Sequence, residues 1–266
     1  MIADKNADRF KGFAEIYNNV RPACPEYVLN ILPRYLEHLP QTEVDIGCGT
    51  GLSTIVWKDT AQKIIGVEPS DDMLKTAEEN SRNISNIEYI KAFSNNTGLP
   101  DGIAYIITCS QSFHWMEPVS TLKEINRLLK PGGVFAAYDC DWPPVCSFKV
   151  ELAYEKLFAK VNKIESENDK YRTLFVMYPK DQHLQNIKNS GNFRYTREIV
   201  FSNTEKCSAE RYFGIAISQG GVQSILKQEP ELIEEDLNKF KKTVEEDFCG
   251  EVKEIEFCYR MRLGVK

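Results

Sequence analysis

The feature that most constrains this chain is a short apolar strand that runs directly into three alternating glycines. The strand is Val44-Asp45-Ile46, and the glycines are Gly47, Gly49 and Gly51. Glycine tolerates sharp backbone reversals and lets a ligand approach the main chain closely. The pattern therefore predicts a buried strand, a tight turn with a ligand-binding site, and a helix that begins at about Leu52.

Strand-like and helical segments alternate after this turn. Further strands are expected at about 63–67, 87–92, 103–109 and 134–138, with helices between them whose apolar residues recur every three or four positions. Such alternation predicts an α/β fold, in which helices cover both faces of a mostly parallel sheet. Two more strands, near 193–199 and 255–261, would bring the sheet to seven strands.

The same pattern divides the 266 residues into four segments. Residues 1–40 are predicted to form an N-terminal helical cap, and residues 41–140 the glycine turn with the first five strands. The strand–helix rhythm breaks after Trp142-Pro143-Pro144, so residues 141–190 are predicted to be a helical lid insertion. Residues 191–266 would supply the strands and helices that complete the core sheet.

Charge and hydropathy exclude several classes of partner. The formal net charge is −6, from 33 Lys and Arg against 39 Asp and Glu, and an acidic chain is poorly suited to a polyanion. No stretch approaches the roughly 20 consecutive apolar residues of a membrane span, and the charged N-terminus is unlike a secretory leader. We therefore expect a small-molecule partner, no nucleic acid, no membrane and a cytoplasmic location, either as a monomer or as a homodimer.

The cysteines and histidines do not form a metal-binding or disulfide pattern. The eight cysteines include no C-x-x-C pair, and the three histidines lie far apart in the sequence. Cysteine in apolar strands behaves as a small hydrophobic residue. We expect reduced, structural thiols and no metal.

An acidic residue, Glu68, ends the second predicted strand. At that place a carboxylate can accept hydrogen bonds from both hydroxyls of a ribose, so the turn and Glu68 together predict an adenosine-containing cofactor. NAD and S-adenosylmethionine both satisfy this pattern. Two details favour S-adenosylmethionine. Leu52 stands where the dinucleotide fingerprint needs its last glycine, and Asp45 suits an ammonium group better than a pyrophosphate.

Several motifs, in the right order, resemble those of class I S-adenosylmethionine-dependent methyltransferases. The matching stretches are 45–51 and 66–74 for the first two motifs, and 99–101, 111–115 and 129–133 for the subfamily called type 11. The segment Ser112-Phe113-His114-Trp115, with 13–17 and Arg21-Pro22, is similar to the trans-aconitate methyltransferase-like group. The resemblance is strongest from about 10 to 140. It implies a Rossmann-like sheet, S-adenosylmethionine as methyl donor and S-adenosylhomocysteine as product.

The resemblance also implies roles for individual cofactor-binding residues. The acidic residue of the first motif would support the amino group of the cofactor, and the glycine turn would line its methionine part. Glu68 would bind the ribose, the residues that follow it and those after the third strand would enclose the adenine, and the end of the fourth strand would lie beside the sulfonium. The expected set is Asp45, Gly47, Cys48, Gly49, Gly51, Glu68, Pro69, Met73, Phe93, Ser94, Ser110 and Gln111.

Fewer sequence features identify the residues that would bind the methyl acceptor. The candidate residues are Tyr17, Arg21, His114, Trp115 and Trp142. His114 is either a direct participant in acceptor binding or proton transfer, or a hydrogen-bonded structural residue. Trp115 could equally be a packing residue, and Trp142 a hydrophobic hinge for the lid. Tyr17 and Arg21 could cap the cofactor, bind an anion, or belong to a surface helix.

A small organic acid is the leading acceptor predicted from these residues. The guanidinium of Arg21 can hold a carboxylate at two points. No Cys-His pair or pair of carboxylates in the sequence marks a dedicated base, which an ionised acid would not need. Methylation at nitrogen or carbon, and a non-catalytic regulator that binds S-adenosylmethionine, are the alternatives.

Overall fold

The computed structural model of the chain describes Asn6, Gly12, residues 14–36 and residues 40–266. The remaining residues, which include much of the first part of the predicted cap, lie outside this description. No helix among the described residues is long and apolar enough to cross a membrane. All eight cysteines are free.

A seven-stranded sheet forms the centre of the molecule, in the order β3-β2-β1-β4-β5-β7-β6. The strands are β1 (Thr42–Ile46), β2 (Lys63–Val67), β3 (Ile87–Ile90), β4 (Ala104–Ser110), β5 (Leu129–Cys140), β6 (Tyr195–Cys207) and β7 (Lys253–Val265). The first five strands pair in parallel, whereas β7 lies antiparallel to both β5 and β6. The predicted mostly parallel, Rossmann-like sheet is confirmed.

Helices pack on both faces of the sheet. They are α1 (Ala14–Val20), α2 (Glu26–Ile31), α3 (Asp71–Asn80), α4 (Pro118–Leu128), α5 (Phe148–Glu167), α6 (Asp169–Arg172), α7 (His183–Asn189), α8 (Ala209–Ile217), α9 (Gly220–Leu226) and α10 (Glu234–Phe248). Alternate residues of a strand point to opposite faces. Accordingly Ala136 and Tyr138 of β5 join a core with α5 and α8–α10, while Phe135 and Ala137 join a core with α4 and α7.

The segment after the glycine turn differs from the prediction. Instead of an α-helix from Leu52, the chain makes tight turns and then a 3-10 helix over Ile55–Asp59. The hydroxyls of Ser53 and Thr54 donate to the Asp45 carboxylate at 2.7 and 2.8 Å. Side-chain hydrogen bonds of serine and threonine compete with regular helix formation, which accounts for the shorter element.

Strand β6 is much longer than predicted, with thirteen residues that pair along the whole of β7. It lies at the edge of the sheet, and only Ile199 and Cys207 in it are buried. The stretch 202–206 is polar on both faces, so it carries no apolar alternation. An exposed, polar edge strand of this kind resists pairing with other chains.

The segment 141–190 contributes both core and surface. Helix α5 buries Val150, Tyr154, Leu157 and Val161 in the same core as α10. The chain between α6 and α7 instead passes near the carboxyl end of β4, where the backbone N–H of Tyr178 donates to the carbonyl oxygen of His114 at 2.8 Å. The predicted lid stays a prediction.

Candidate active site

A cavity of about 380 Å³ opens at the carboxyl ends of β1, β2 and β4. Its walls come from the glycine turn, the ends of β2 and β4, the turn after α1, and the start of α4. In open α/β sheets, ligands bind at this edge of the sheet. The cavity is therefore the candidate active site.

Most of the predicted site residues line this one cavity. Those that do are Tyr17, Arg21, Gly47, Cys48, Gly49, Glu68, Pro69, Met73, Phe93, Ser94, Ser110, Gln111 and Trp115. Asp45, Gly51, His114 and Trp142 are not among the lining residues. The structure thus brings most of the cofactor and acceptor candidates together around one cavity.

Asp45 holds the segment after the glycine turn in place through hydrogen bonds. Its carboxylate is fully buried and accepts hydrogen bonds from Ser53, Thr54 and, at 3.1 Å, Thr108. Burial raises the pKa of Asp45 above its usual value, and the three hydroxyl donors oppose this shift. In this structure Asp45 links β1, the turn and β4, and its predicted contact with the cofactor amino group stays a prediction.

Two of the glycines are required by their surroundings. Gly47 has φ of +71°, and a Cβ there would lie 2.7 Å from both Met116 Cε and Ser112 Cβ. Gly51 has φ of +81°, and a Cβ there would lie 2.6 Å from the hydroxyl of Tyr89. Cβ atoms do not approach other atoms so closely, so Gly47 lets the turn pack against Ser112 and Met116, and Gly51 makes room for Tyr89 on β3.

Glu68 connects the end of β2 to the glycine turn. Its carboxylate accepts hydrogen bonds from the backbone N–H groups of Gly49 at 3.1 Å and Ser70 at 2.9 Å. Burial raises the pKa of Glu68 to about 7, although both hydrogen bonds lower it. A carboxylate has about four acceptor positions, so lone pairs remain for the hydroxyls of a ribose. Ser70 directly precedes α3, and its side chain makes no capping hydrogen bond.

Arg21 supplies positive charge to the cavity. It follows α1, and its guanidinium lies over the rings of Tyr17 and Trp142, with Cζ 4.7 and 5.1 Å from the ring centroids. Among the described residues that line the cavity, Arg21 is the only one with a cationic side chain. Trp142 therefore reaches the site indirectly, through its contact with Arg21.

His114 is buried and paired with a carboxylate that the sequence analysis missed. Its Nδ1 lies 3.1 Å from Oδ1 of Asp139 on β5. Burial lowers the pKa of His114, which favours the neutral imidazole. Asp139 stands at the carboxyl end of a predicted strand, and that position was the available signal for a functional carboxylate.

The carboxylate of Asp139 also lies close to two positively charged side chains and a second histidine. Lys180 lies 3.1 Å and Arg262 3.4 Å from its oxygens, and His183 packs beside it. Burial raises the pKa of Asp139, but the His114 hydrogen bond and the Lys180 charge outweigh burial and hold it well below its usual range. His114, Asp139 and His183 are close enough to hold a metal ion. Two positive charges already at one carboxylate disfavour a divalent cation there.

Other lining residues were also missed by the sequence analysis. They are Asn6, Pro22, Ala23, Cys24, Pro25, Thr50, Leu52, Ser53, Val67, Ala92, Asn95, Ser112, Met116, Glu117, Ser120, Thr121, Tyr178 and Tyr259. Several of them lie within one or two positions of a predicted motif, and this closeness to a motif could have identified them. Tyr178 and Tyr259 come from distant segments, and no local pattern marks either one.

Comparison with known proteins agrees with this geometry. Residues 44–137 match the methyltransferase domain family. A Dictyostelium discoideum protein assigned as a methyltransferase is 26% identical over 242 residues, which cover 89% of this chain and 88% of that protein. A Saccharomyces cerevisiae protein assigned as an S-adenosylmethionine-dependent methyltransferase is 28% identical over 169 residues, or 61% of this chain and 58% of the yeast protein.

Solved structures show the same fold. A methyltransferase structure from Anaeromyxobacter dehalogenans superimposes with a TM-score of 0.68 at 16% identity, covering 92% of this chain and 97% of that one. The fold and the matched domain define a Rossmann-like methyltransferase. Together with these relatives they make the chain an S-adenosylmethionine-dependent methyltransferase, with S-adenosylmethionine as its methyl donor. Membership of the trans-aconitate methyltransferase-like group stays a prediction.

Proposed function

We propose that this enzyme transfers a methyl group to the carboxylate of a small organic acid, which binds at the Arg21 end of the cavity. The observation that carries the proposal is that Arg21 is the sole cationic side chain among the described lining residues. The two lining carboxylates, Glu68 and Glu117, each accept hydrogen bonds from backbone N–H groups. Their negative charge is therefore partly satisfied by the protein itself.

The cofactor end of the cavity suits S-adenosylmethionine in shape and chemistry. Glu68 offers acceptor positions to the ribose, and the turn at Gly47 would admit the methionine part next to Cys48 and Gly49. Apolar side chains that can enclose an adenine are Pro69, Met73 and Phe93. A polar edge is available as well, because the hydroxyl of Ser94 lies 2.9 Å from that of Thr121.

The end of β4 is the proposed place of methyl transfer. Gln111, next to Ser110, has φ of +51°, which is unusual for a residue other than glycine. Its backbone N–H donates to the carbonyl oxygen of Tyr138 at 2.8 Å, which holds this conformation. Strained backbone of this kind concentrates at functional sites. We assign Ser110 and Gln111 to the space between sulfonium and acceptor.

In the proposed reaction the main task of the protein is to align the acceptor with the methyl group and the sulfur of the cofactor. S-adenosylmethionine supplies an already activated methyl group. The residues around it orient the acceptor and exclude water. An ionised carboxylate needs no base, so Arg21 would orient the acceptor while Tyr17 and Trp115 form apolar walls.

A cover over the cavity is part of the proposal. The side chain of Asn6 donates to the carbonyl oxygens of Trp115 and Val176, and Tyr178 lines the cavity. These contacts support the predicted lid, formed by part of 141–190 together with the N-terminal segment. Hydrogen exchange at 174–179 should slow when S-adenosylhomocysteine and acceptor bind, and equal exchange rates would argue against the lid.

A second candidate is O-methylation of a hydroxyl. The observation in its favour is the hydrogen bond between His114 and Asp139, because a neutral imidazole oriented by a carboxylate can act as a general base. In that case His114→Gln should lower turnover by roughly 10²- to 10⁴-fold. With an acid acceptor the same variant should keep most of its activity.

An acceptor screen separates the two candidates. Release of S-adenosylhomocysteine would be measured with mono-, di- and tricarboxylic acids, and with alcohols and amides of the same carbon skeletons. We expect turnover with acids only. Turnover with alcohols that is lost in His114→Gln would establish the hydroxyl reaction instead.

A further inference from the structure

The guanidinium of Arg21 is held by neutral groups. Its Nη2 donates to the backbone oxygen of Ser218 at 3.0 Å and to the side-chain oxygen of Gln219 at 3.2 Å. Two aromatic faces, Tyr17 and Trp142, complete its surroundings. The Nε of Arg21 is buried without a hydrogen-bond partner among the described residues. None of the ion pairs found within the described ranges joins Arg21 to a carboxylate.

Three other arginines among the described residues each pair with a carboxylate. Arg127 pairs with Glu124, Arg211 with Glu205, and Arg262 with Glu198. These pairs balance charge within the protein. A partly buried cation without such a partner is unfavourable until a ligand provides the opposite charge. The charge of Arg21 is thus available to an anion in the cavity.

Gln219 is itself held firmly at the junction between α8 and α9. Its backbone N–H donates to the carbonyl oxygen of Ala216 at 3.2 Å, and its side-chain amide nitrogen contacts the hydroxyl of Tyr154 at 3.5 Å. Because arginine can only donate hydrogen bonds, the atom of Gln219 that faces Arg21 must be the oxygen. The first turn of α8 also contacts the end of α1, since Arg211 Nε donates to the carbonyl oxygen of Val20 at 3.3 Å.

We propose that Gln219 is a specificity-determining positioning residue, which orients Arg21 without neutralising it and so selects an anionic acceptor. This inference rests on the proposed function and deepens it. A glutamate at the same position would orient the guanidinium equally well, but it would form an ion pair with Arg21 and neutralise the positive charge of that residue. The amide is therefore the feature that leaves Arg21 free to bind an acid.

The test compares Gln219→Glu with a matched control, Gln228→Glu, which adds the same charge at an exposed position beyond α9. The acceptor would be whichever of succinate, citrate, trans-aconitate and benzoate releases most S-adenosylhomocysteine. For Gln219→Glu we expect the KM of the acid to rise about tenfold or more, because a like charge opposes the acceptor. The kcat and the Kd for S-adenosylhomocysteine should stay within about threefold, and the control should match the wild type.

Two further variants keep the inference falsifiable. Gln219→Met, neutral and of similar size, should raise the KM by about threefold, less than Gln219→Glu, since Ser218 and the two rings still hold Arg21. In an Arg21→Gln background, Gln219→Glu should have little additional effect. If Gln219→Glu does not fold, as judged by its melting temperature, Gln219→Met decides: an unchanged KM would overturn the positioning role.

The outcomes distinguish this inference from the proposed function. Acids that are turned over with an unchanged KM in Gln219→Glu would overturn the inference and leave the proposed function intact. An equal rise in KM for Gln219→Met and Gln219→Glu would show a steric role, which also overturns it. If none of the acids is turned over while S-adenosylhomocysteine binds, the proposed function fails and the inference fails with it.

Discussion

In the proposed function the cavity has a cofactor end and an acceptor end, and the residues assigned to the two ends come together in different ways. The cofactor end comes from successive strand ends, so the glycine turn, Glu68 and Phe93 follow one another along the chain. The acceptor end gathers residues that are far apart in sequence, with Arg21, Tyr178 and Tyr259 each from a separate segment. The first end is a local motif repeated along a sheet, whereas the second exists only once the whole chain has packed. Substitutions should therefore affect the two ends differently.

The largest expected effect is at the glycine turn of the cofactor end. Gly47→Ala combines a left-handed backbone with a Cβ 2.7 Å from Ser112 Cβ, and it should destabilise the fold by roughly 2–4 kcal/mol. Gly49→Ala is the matched control, because its φ is +55° and no atom of the described residues would meet the new Cβ within 4 Å. It should cost only about 1–2 kcal/mol. Equal losses in urea unfolding would show that packing around Gly47 is unimportant.

Glu68→Ala tests the cofactor end without changing the turn residues. Loss of a carboxylate that accepts both ribose hydroxyls should weaken S-adenosylhomocysteine binding by roughly 1.5–3 kcal/mol in calorimetry. Glu117→Gln changes the other lining carboxylate, which caps α4 through Val119 and Ser120. The affinity of the Glu117→Gln variant for S-adenosylhomocysteine should stay close to that of the wild type. Unchanged affinity in a folded Glu68→Ala variant would mean that the ribose lies elsewhere.

Arg21→Lys tests the acceptor end alone. An ammonium group cannot reproduce the planar two-point contact of a guanidinium, so the KM of an acid acceptor should rise about tenfold. S-adenosylhomocysteine affinity should not change, because Arg21 is assigned to the proposed acceptor end of the cavity. A matching loss of cofactor affinity would show that the two ends are not separate.

An effect of about the same size as that of Arg21→Lys is a pH dependence confined to the proposed cofactor end. Burial raises the pKa of Glu68 to about 7, so its carboxyl is largely protonated at pH 6 and largely ionised at pH 8 in the free enzyme. Only the ionised form accepts both ribose hydroxyls. Affinity for S-adenosylhomocysteine should therefore rise about tenfold from pH 6 to pH 8 and then level off. The same slope in Glu68→Ala would assign the titration to another group.

The sequence was informative where structure is local. Strands β1 to β5 were predicted, and most of the expected cofactor-binding residues line the cavity, because each depends on a turn or an apolar run within a few positions. The helix expected at Leu52 was wrong, since Ser53 and Thr54 turn their hydroxyls to Asp45. The full length of β6 was missed because an edge strand has no buried face to produce alternation.

The acceptor end was harder to predict for a physical reason. The pairing of His114 with Asp139 joins residues on neighbouring strand ends, and the contact of Arg21 with Gln219 joins the two ends of the sequence. Such contacts depend on tertiary packing, which a single sequence does not display. Arg21 was nevertheless chosen as the anchor from its motif, and that assignment stays a proposal.

The measurement that tests the central claim most directly is thermal unfolding of the wild-type protein with S-adenosylhomocysteine, with NAD as the control ligand. At 100 times its Kd, S-adenosylhomocysteine should add about 2.7 kcal/mol to the free energy of unfolding, whereas NAD should add nothing measurable. The added stability should shrink in Glu68→Ala at the same ligand concentration. A melting temperature unchanged by saturating S-adenosylhomocysteine would contradict the claim that this cavity is a methyl-donor site.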